Sequence, residues 1–200
     1  RRAQRVVVAT DSEEIKRVVE AEGFEAMMTN PDHPTGTDRV AEVSARLGAK
    51  RVVNVQGDEP FIDAGLIDGL FMLLENNPDI PMATAVHPHS SVAGLERNSQ
   101  VKVVVNRAGE ALYFSRSLIP CDRDGGGEKW LRHIGIYAYQ AAFLPIFCGL
   151  PQGELELREK LEQLRALEHG HRIRVIETHY EGFSVDTPED YAEFLSRLSS

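Results

Sequence analysis

In residues 52–62, VVNVQGDEPFI, an apolar β-branched run ends in a glycine beside two acids and is stopped by a proline. Val52, Val53 and Val55 favour a pleated, buried setting, Gly57 admits close approach, and Pro60 cannot continue a ladder. The pattern predicts a buried parallel strand that delivers Gln56, Gly57, Asp58 and Glu59 to its carboxyl end, where open α/β sheets bind ligands. A solvated turn between a strand and a helix would use the same residues.

The rest of the chain supports an α/β fold. Residues 6–10 predict a strand; Asp11 with Glu14 reads as a capping box for a helix striped by Ile15, Val18 and Val19, which Gly23 ends. A strand over 25–29 and a loop over 30–36 precede a helix marked by Val40, Val43 and Leu47. After the signature strand come a helix with Leu66, Ile67, Leu70 and Leu74 inward and a strand over 82–86. Val101, Val103 and Val105 then alternate with polar residues, and a turn at 106–109 returns the chain over 111–115, as an antiparallel hairpin does. Residues 122–129, DRDGGGEK, predict a loop. A strand over 133–139, a helix carrying Leu157, Leu161 and Leu164, a strand over 173–176 and a helix from Pro188 capped by Thr187 complete the reading.

Two hundred residues, 42% of them apolar, suffice for one substantial core. A formal net charge of −9 argues against a nucleic-acid partner, because a polyphosphate backbone needs clustered Lys and Arg. Any anionic substrate must be met by a few local cations. Cys121 and Cys148 make no disulfide framework, so a reducing cytoplasm is the expected home. No apolar run approaches the roughly 20 residues that span a bilayer.

Several residues could carry chemistry. Asp58 and Asp186 each stand between a β-type run and a helix start, so both could reach one sheet edge; two carboxylates with phosphate oxygens commonly hold Mg²⁺. On residue type alone Asp186 reads first as a turn or capping residue. Thr35, Gly36, Thr37 and Arg39 lie where a loop enters a helix, whose free N–H groups favour anionic or carbonyl ligands. Arg116 follows the hairpin, and its planar fork suits a carboxylate, unless it is a surface charge. His133 and Tyr137 share one strand face. Glu162 and Gln163 flank core leucines and read first as a solvated helix face. His87 and His89 have no obvious third ligand and read as surface residues.

Residues 52–62, together with HPTGTDRVAEV, ALYFSRSLIPCDRD, LRHIGIYAY, LEQLRAL and VDTPEDY in that order, resemble the sugar-acid cytidylyltransferases. The likeness is greatest to the branch that activates 3-deoxy-manno-octulosonate (Kdo). The resemblance implies a nucleotide-diphospho-sugar transferase fold, an α/β three-layer sandwich with a mostly parallel sheet. Residues 1–200 would form one domain, with a hairpin extension over 99–140 that supports a homodimer. The implied reaction is CTP plus Kdo giving CMP-Kdo and pyrophosphate for lipopolysaccharide. Asp58 and Asp186 would hold Mg²⁺; Thr35, Gly36, Thr37, Arg39, Gln56 and Gly57 would bind CTP; Gln56, Arg116, His133, Tyr137, Glu162 and Gln163 would bind the sugar. Two departures stand out. The basic, glycine-containing loop that follows the family's opening strand has no counterpart in the sequence, and residues 122–129 are shorter than usual. Alternatives are activation of another sugar acid or a relative that binds without turnover; a metal-dependent glycosyltransferase is disfavoured by the length of the match.

Overall fold

The computed structural model describes residues 2–127, 129–185 and 187–198, so Asp186 lies outside the described residues. The large sheet is organised around one long strand, β7 (Trp130–Gln140). Along one edge β7 pairs antiparallel with β4 (Met82–His89); along the other it pairs antiparallel with β3 (Arg51–Asn54) and, through Arg132 opposite Lys102, with β5 (Lys102–Val105). β5 turns back into β6 (Ala111–Ser115), and β4 pairs in parallel with β8 (Ile173–Glu177). A second, two-stranded parallel sheet joins β1 (Val7–Thr10) to β2 (Glu25–Met28). The large sheet is therefore mixed. The signature strand β3 is not a parallel strand among its described partners but an antiparallel neighbour of β7.

Alternation along β7 separates two cores. Ile134, Ile136 and Ala138 face α3 (Ala64–Asn76), whose Leu66, Leu70 and Leu74 lie against them and against Ala83 and Ala85. These are the stripe residues at helical spacing. Each fully buried leucine contributes roughly 1.5–3 kcal/mol of transfer free energy. On the opposite face Tyr139 packs with Phe143, Phe147, Leu161 and Leu164, beside Val40 and Ala41 of α2 (Gly36–Leu47). α2 is capped by the Thr35 side chain and stopped by Gly48 at φ 59, the left-handed turn that glycine takes without strain. These layers place the carboxyl end of β3 and the amino end of α2 on one rim.

Three local expectations are corrected. α1 (Glu13–Ala21) is capped by Ser12, whose hydroxyl accepts from Ile15 N at 3.3 Å, while Asp11 pairs instead with Arg39 at 2.6 Å. The single helix expected over Leu157–Leu164 is two, α5 (Glu154–Glu159) and α6 (Gln163–Glu168), parted by Lys160 in the left-handed conformation. The break leaves Leu157 exposed while Leu161 and Leu164 enter the core. His87 and His89 are half-buried rather than on the surface, their rings edge to face at 4.8 Å. α4 (Leu144–Gly149) completes the second core, and α7 (Pro188–Leu198) buries no residue of its own.

Candidate functional site

Two adjoining cavities open on that rim, of about 390 Å³ and 640 Å³, with Gln56 and Leu161 lining both. They form one two-compartment cleft. The smaller is walled by Thr35, Gly36 and Thr37 at the amino end of α2 and by Lys160 and Glu162 opposite. The larger is walled by Asp58, Arg132, His133, Tyr137 and Gln163.

β3 and the turn after it present Gln56 and Asp58. The Gln56 side-chain oxygen reaches the start of α2, 3.8 Å from where a β-carbon on Gly36 would sit. Asp58 is pinned from the far end of the sequence: its carbonyl accepts from Val185 N at 2.9 Å, and its carboxylate accepts from Ser184 Oγ at 3.1 Å. Its neighbour Glu59 is structural. Glu59 accepts from Tyr180 Oη at 2.8 Å and Phe183 N at 3.3 Å, which clasps the 180–184 segment to the β3 turn.

His133 and Tyr137 form a desolvated, uncharged part of the larger cavity's β7 wall, beside the charged Arg132. Burial pushes the His133 imidazole down to about 3, so the ring is neutral at ordinary pH. Thr84 Oγ1 donates to Ile136 O at 2.7 Å and lies 2.9 Å from His133 Nε2. With its single proton committed, the hydroxyl can only accept from Nε2–H, which leaves His133 Nδ1 as an acceptor. Burial, reinforced by Glu162, raises the Tyr137 phenol far above its ordinary value and keeps it protonated. Gln163, far from the solvated face expected of it, is 3% exposed and its amide Nε2 lacks a partner among the described residues. A buried N–H left unpaired costs about 1–3 kcal/mol, a cost that a ligand oxygen would remove.

Glu162 lines the smaller compartment, and its charge is felt by Tyr137 of the larger one. One carboxylate oxygen accepts from Thr37 Oγ1 at 2.7 Å; the other has no hydrogen bond among the described residues, its cation Arg165 lying at 3.8 Å. Arg165 is committed elsewhere, to a buried bidentate pair with Glu156 at 2.5 and 2.8 Å. Burial opposes the Glu156 charge, but the Arg165 bonds outweigh it and hold the carboxyl below its ordinary value. Sequence patterning carries no sign of this pair, because both residues fall among the helix positions that usually face water.

Other expected residues stand outside the cleft. Arg39 lines neither cavity; it ties the start of α2 to Thr29, Asn30 and Asp11. At Gly57 an added β-carbon would meet no heavy atom within 4 Å, so no close approach requires the glycine there. Arg116 also lines neither cavity, and the fork expected for a substrate carboxylate is turned to backbone carbonyls of Asn98, Glu159 and Lys160 at 3.0, 2.7 and 3.3 Å. Beneath it the fully buried Lys102 donates to carbonyls of Arg97, Gln100 and Arg116. Together the two cations hold the 97–100 wall. Cys121 and Cys148 are both free, and burial together with Asp38 pushes the Cys148 thiol up to about 12, which removes it as a nucleophile.

Residues 1–173 match the family described as Cytidylyltransferase. A 3-deoxy-manno-octulosonate cytidylyltransferase of Solibacter usitatus is 47% identical over 193 residues, 96% of this chain and 76% of the relative. One from Anaeromyxobacter sp. strain Fw109-5 is 52% identical over 188 residues, covering 92% and 75%. Among solved structures, CMP:2-keto-3-deoxy-manno-octonic acid synthetase complexed with CTP superposes with a TM-score of 0.94 at 39% identity, over 98% of this chain and 81% of that one. A cytidylyltransferase from Leptospira borgpetersenii shares the fold, with a TM-score of 0.60 at 15% identity.

Proposed function

The chain belongs to the cytidylyltransferase family, and from that premise we propose that it transfers CMP from CTP to Kdo, giving CMP-Kdo and pyrophosphate. One observation supports this most directly: Gln56 and Leu161 join a compartment at a helix amino terminus to a larger one where the neutral hydrogen-bonding groups of His133, Tyr137 and Gln163 stand together. The first suits the nucleotide, because free N–H groups meet carbonyl and phosphate oxygens. The second suits a polyhydroxylated sugar. His133 Nδ1 accepts from a hydroxyl, Tyr137 and Gln163 donate to others, and Glu162 accepts with its free oxygen.

In the reaction the anomeric hydroxyl oxygen forms a bond to the α-phosphorus, the bond from that phosphorus to the bridging oxygen breaks, and pyrophosphate leaves as the hydroxyl proton is released. Binding both substrates across the Gln56–Leu161 boundary aligns attacking and leaving oxygens, which removes much of the entropic barrier. No covalent protein intermediate is required.

Mg²⁺ belongs to the same proposal. The donors at the rim are hard oxygens, and among the described residues no group of three metal-ligating side chains forms a closed cage. That suits an ion held by one or two carboxylates and completed by substrate phosphates and water. Asp58 would hold it, with Asp186 as the second ligand, and the ion would neutralise charge on the phosphate oxygens. A homodimer through the 99–140 segment is likewise proposed, supported by the exposed Leu112 on β6 and checked by light scattering. Use of the product in lipopolysaccharide assembly and a cytoplasmic setting follow from the same resemblance; among the described residues no helix is long and apolar enough to cross a membrane.

Asp58→Asn tests the reading. Turnover with CTP and Kdo should fall at least about 100-fold while the thermal midpoint stays unchanged, since the substitution removes charge and keeps size. Near-normal turnover in the variant, or pyrophosphate release that does not depend on Kdo, would reject it.

A further inference from the structure

Lys160 ends α5 at φ 55 and ψ 49, the only non-glycine residue with positive φ among the described residues. That conformation strains any residue with a β-carbon and suits glycine freely. Its surroundings hold it there. Arg116 donates to the carbonyls of Glu159 and Lys160, Leu161 N donates to Glu156 O at 3.3 Å, and Ser115 Oγ and Arg116 N fasten the Glu159 carboxylate at 2.7 and 2.9 Å. The backbone is fixed so that the side chain forms part of the wall of the smaller cavity.

The charges around it leave Lys160 unmatched. Glu156 on the same wall is neutralised by Arg165, whereas Glu162 accepts from Thr37 and keeps its second oxygen without a hydrogen bond among the described residues, 3.8 Å from the already committed Arg165. In the larger compartment Arg132 donates to Gln100 Oε1 at 3.1 Å and feels the charges of Glu181 and Glu59. Lys160 has neither an ion pair nor a side-chain hydrogen bond among the described residues, and the smaller cavity has no other cationic lining residue. Both substrates of the proposed reaction are anions. Within the smaller compartment the α2 side serves the nucleotide, whereas Lys160 stands on the other wall beside Leu161, which also lines the larger compartment, and so stands at the boundary that the two substrates share.

We propose that Lys160 is a specificity-determining contact for the carboxylate of the acceptor sugar acid, presented by the left-handed turn that Arg116 braces. The assignment rests on the reaction proposed above and names how its acceptor is recognised. A mobile ammonium on an exposed stem suits one carboxylate as a point charge.

The backbone geometry supplies a clean test. Lys160→Gly removes the side chain while relieving the strained φ, so the thermal midpoint should hold or rise. The expected result is a KM for Kdo raised roughly two- to fivefold with the KM for CTP unchanged, the size of one favourable solvent-accessible charge pair. Lys160→Arg should restore most of the loss. The preference of the parent protein for Kdo over its carboxamide analogue should shrink in Lys160→Gly by the same factor. Calorimetric binding of Kdo and the carboxamide, run beside the kinetics, separates the two claims. Binding that discriminates through Lys160 without CMP transfer would reject the reaction and keep the contact. Unchanged discrimination, or a shift confined to CTP, would overturn the contact whatever the turnover.

Discussion

The unit formed by β1, α1 and β2 and the body centred on β7 are built from similar sequence patterns and end in different states. In the body, the stripe Leu66, Leu70 and Leu74 is buried against β7 and β4. In the smaller unit, Ile15 and Val18 of the equivalent stripe are 49% and 56% exposed, Val6 is 78% exposed, and no residue of α1 is buried. The two sheets share no ladder among the described residues. An amphipathic helix gains its stability from the surface that covers it, so the same pattern yields a core where a sheet face is present and little where it is not. Both compartments of the cleft are lined outside the β1–α1–β2 unit.

The largest expected disturbance of that contrast comes from placing a family-type strand and basic, glycine-containing loop ahead of Arg1. Expelling pyrophosphate concentrates negative charge that needs preorganised cations and N–H donors, and Lys160, proposed above for the sugar carboxylate, is among the described residues the one cation lining the smaller compartment beside the α2 amino end. Each such donor is worth about 100- to 1,000-fold in turnover, so the extended chain should release pyrophosphate at least about 100-fold faster than residues 1–200. Val6, Val8, Ile15 and Val18 should gain hydrogen-exchange protection near them if the added strand also covers the smaller unit. Equal rates for the two chains would show that other residues hold the triphosphate.

Stability measurements sharpen the comparison at a smaller scale. Leu70→Ala, in a fully buried site, should cost about 2–5 kcal/mol, whereas Val18→Ala should stay within about 0.5 kcal/mol in residues 1–200. Urea unfolding of both variants checks this. A Val18→Ala cost near that of Leu70→Ala would mean that the small unit is covered in solution.

The cleft is more legible in the sequence than the sheet is. A strand end places Gln56 and Asp58, and strand parity pairs His133 with Tyr137, because both are local properties; the family resemblance joins the two pairs, and the structure brings all four to one cavity. Strand direction is not legible: β3 has the apolar run of a parallel strand, yet pairs antiparallel with β7, since partner choice depends on residues far along the chain. The break at Lys160 leaves no mark in the sequence, because neither Gly nor Pro stands there and tertiary bonds from Arg116 hold it. Arg116 itself has the sequence context of a free clamp; its partners at Asn98 and Lys160 are remote in sequence. The Glu156–Arg165 pair and the orphan amide of Gln163 are hidden for the same reason: charge and amide patterns cannot tell a solvated helix face from one turned into a cleft.

A further expected effect, at the low end of the range given for Leu70→Ala, concerns His133, which belongs wholly to the body. Its ordinary value of 6.5 falls to about 3 on burial, so between those values the unfolded chain takes up a proton that the folded protein excludes. Its neutral burial is therefore fully tolerated above about pH 6.5 and becomes a growing liability as pH falls toward 3. Lowering the pH from 7 to 5 should remove about 2 kcal/mol of stability through this group, at about 1.4 kcal/mol per unit. His133→Gln keeps a hydrogen-bonding side chain and cannot titrate, so its stability should fall less over the same interval, even if its stability at pH 7 is lower. Urea midpoints at the two pH values for both proteins decide it. Parallel losses would mean that the imidazole is hydrated enough to charge in the folded state, and the wall that His133 shares with Tyr137 would then not be the desolvated surface that sets the body apart from the β1–α1–β2 unit.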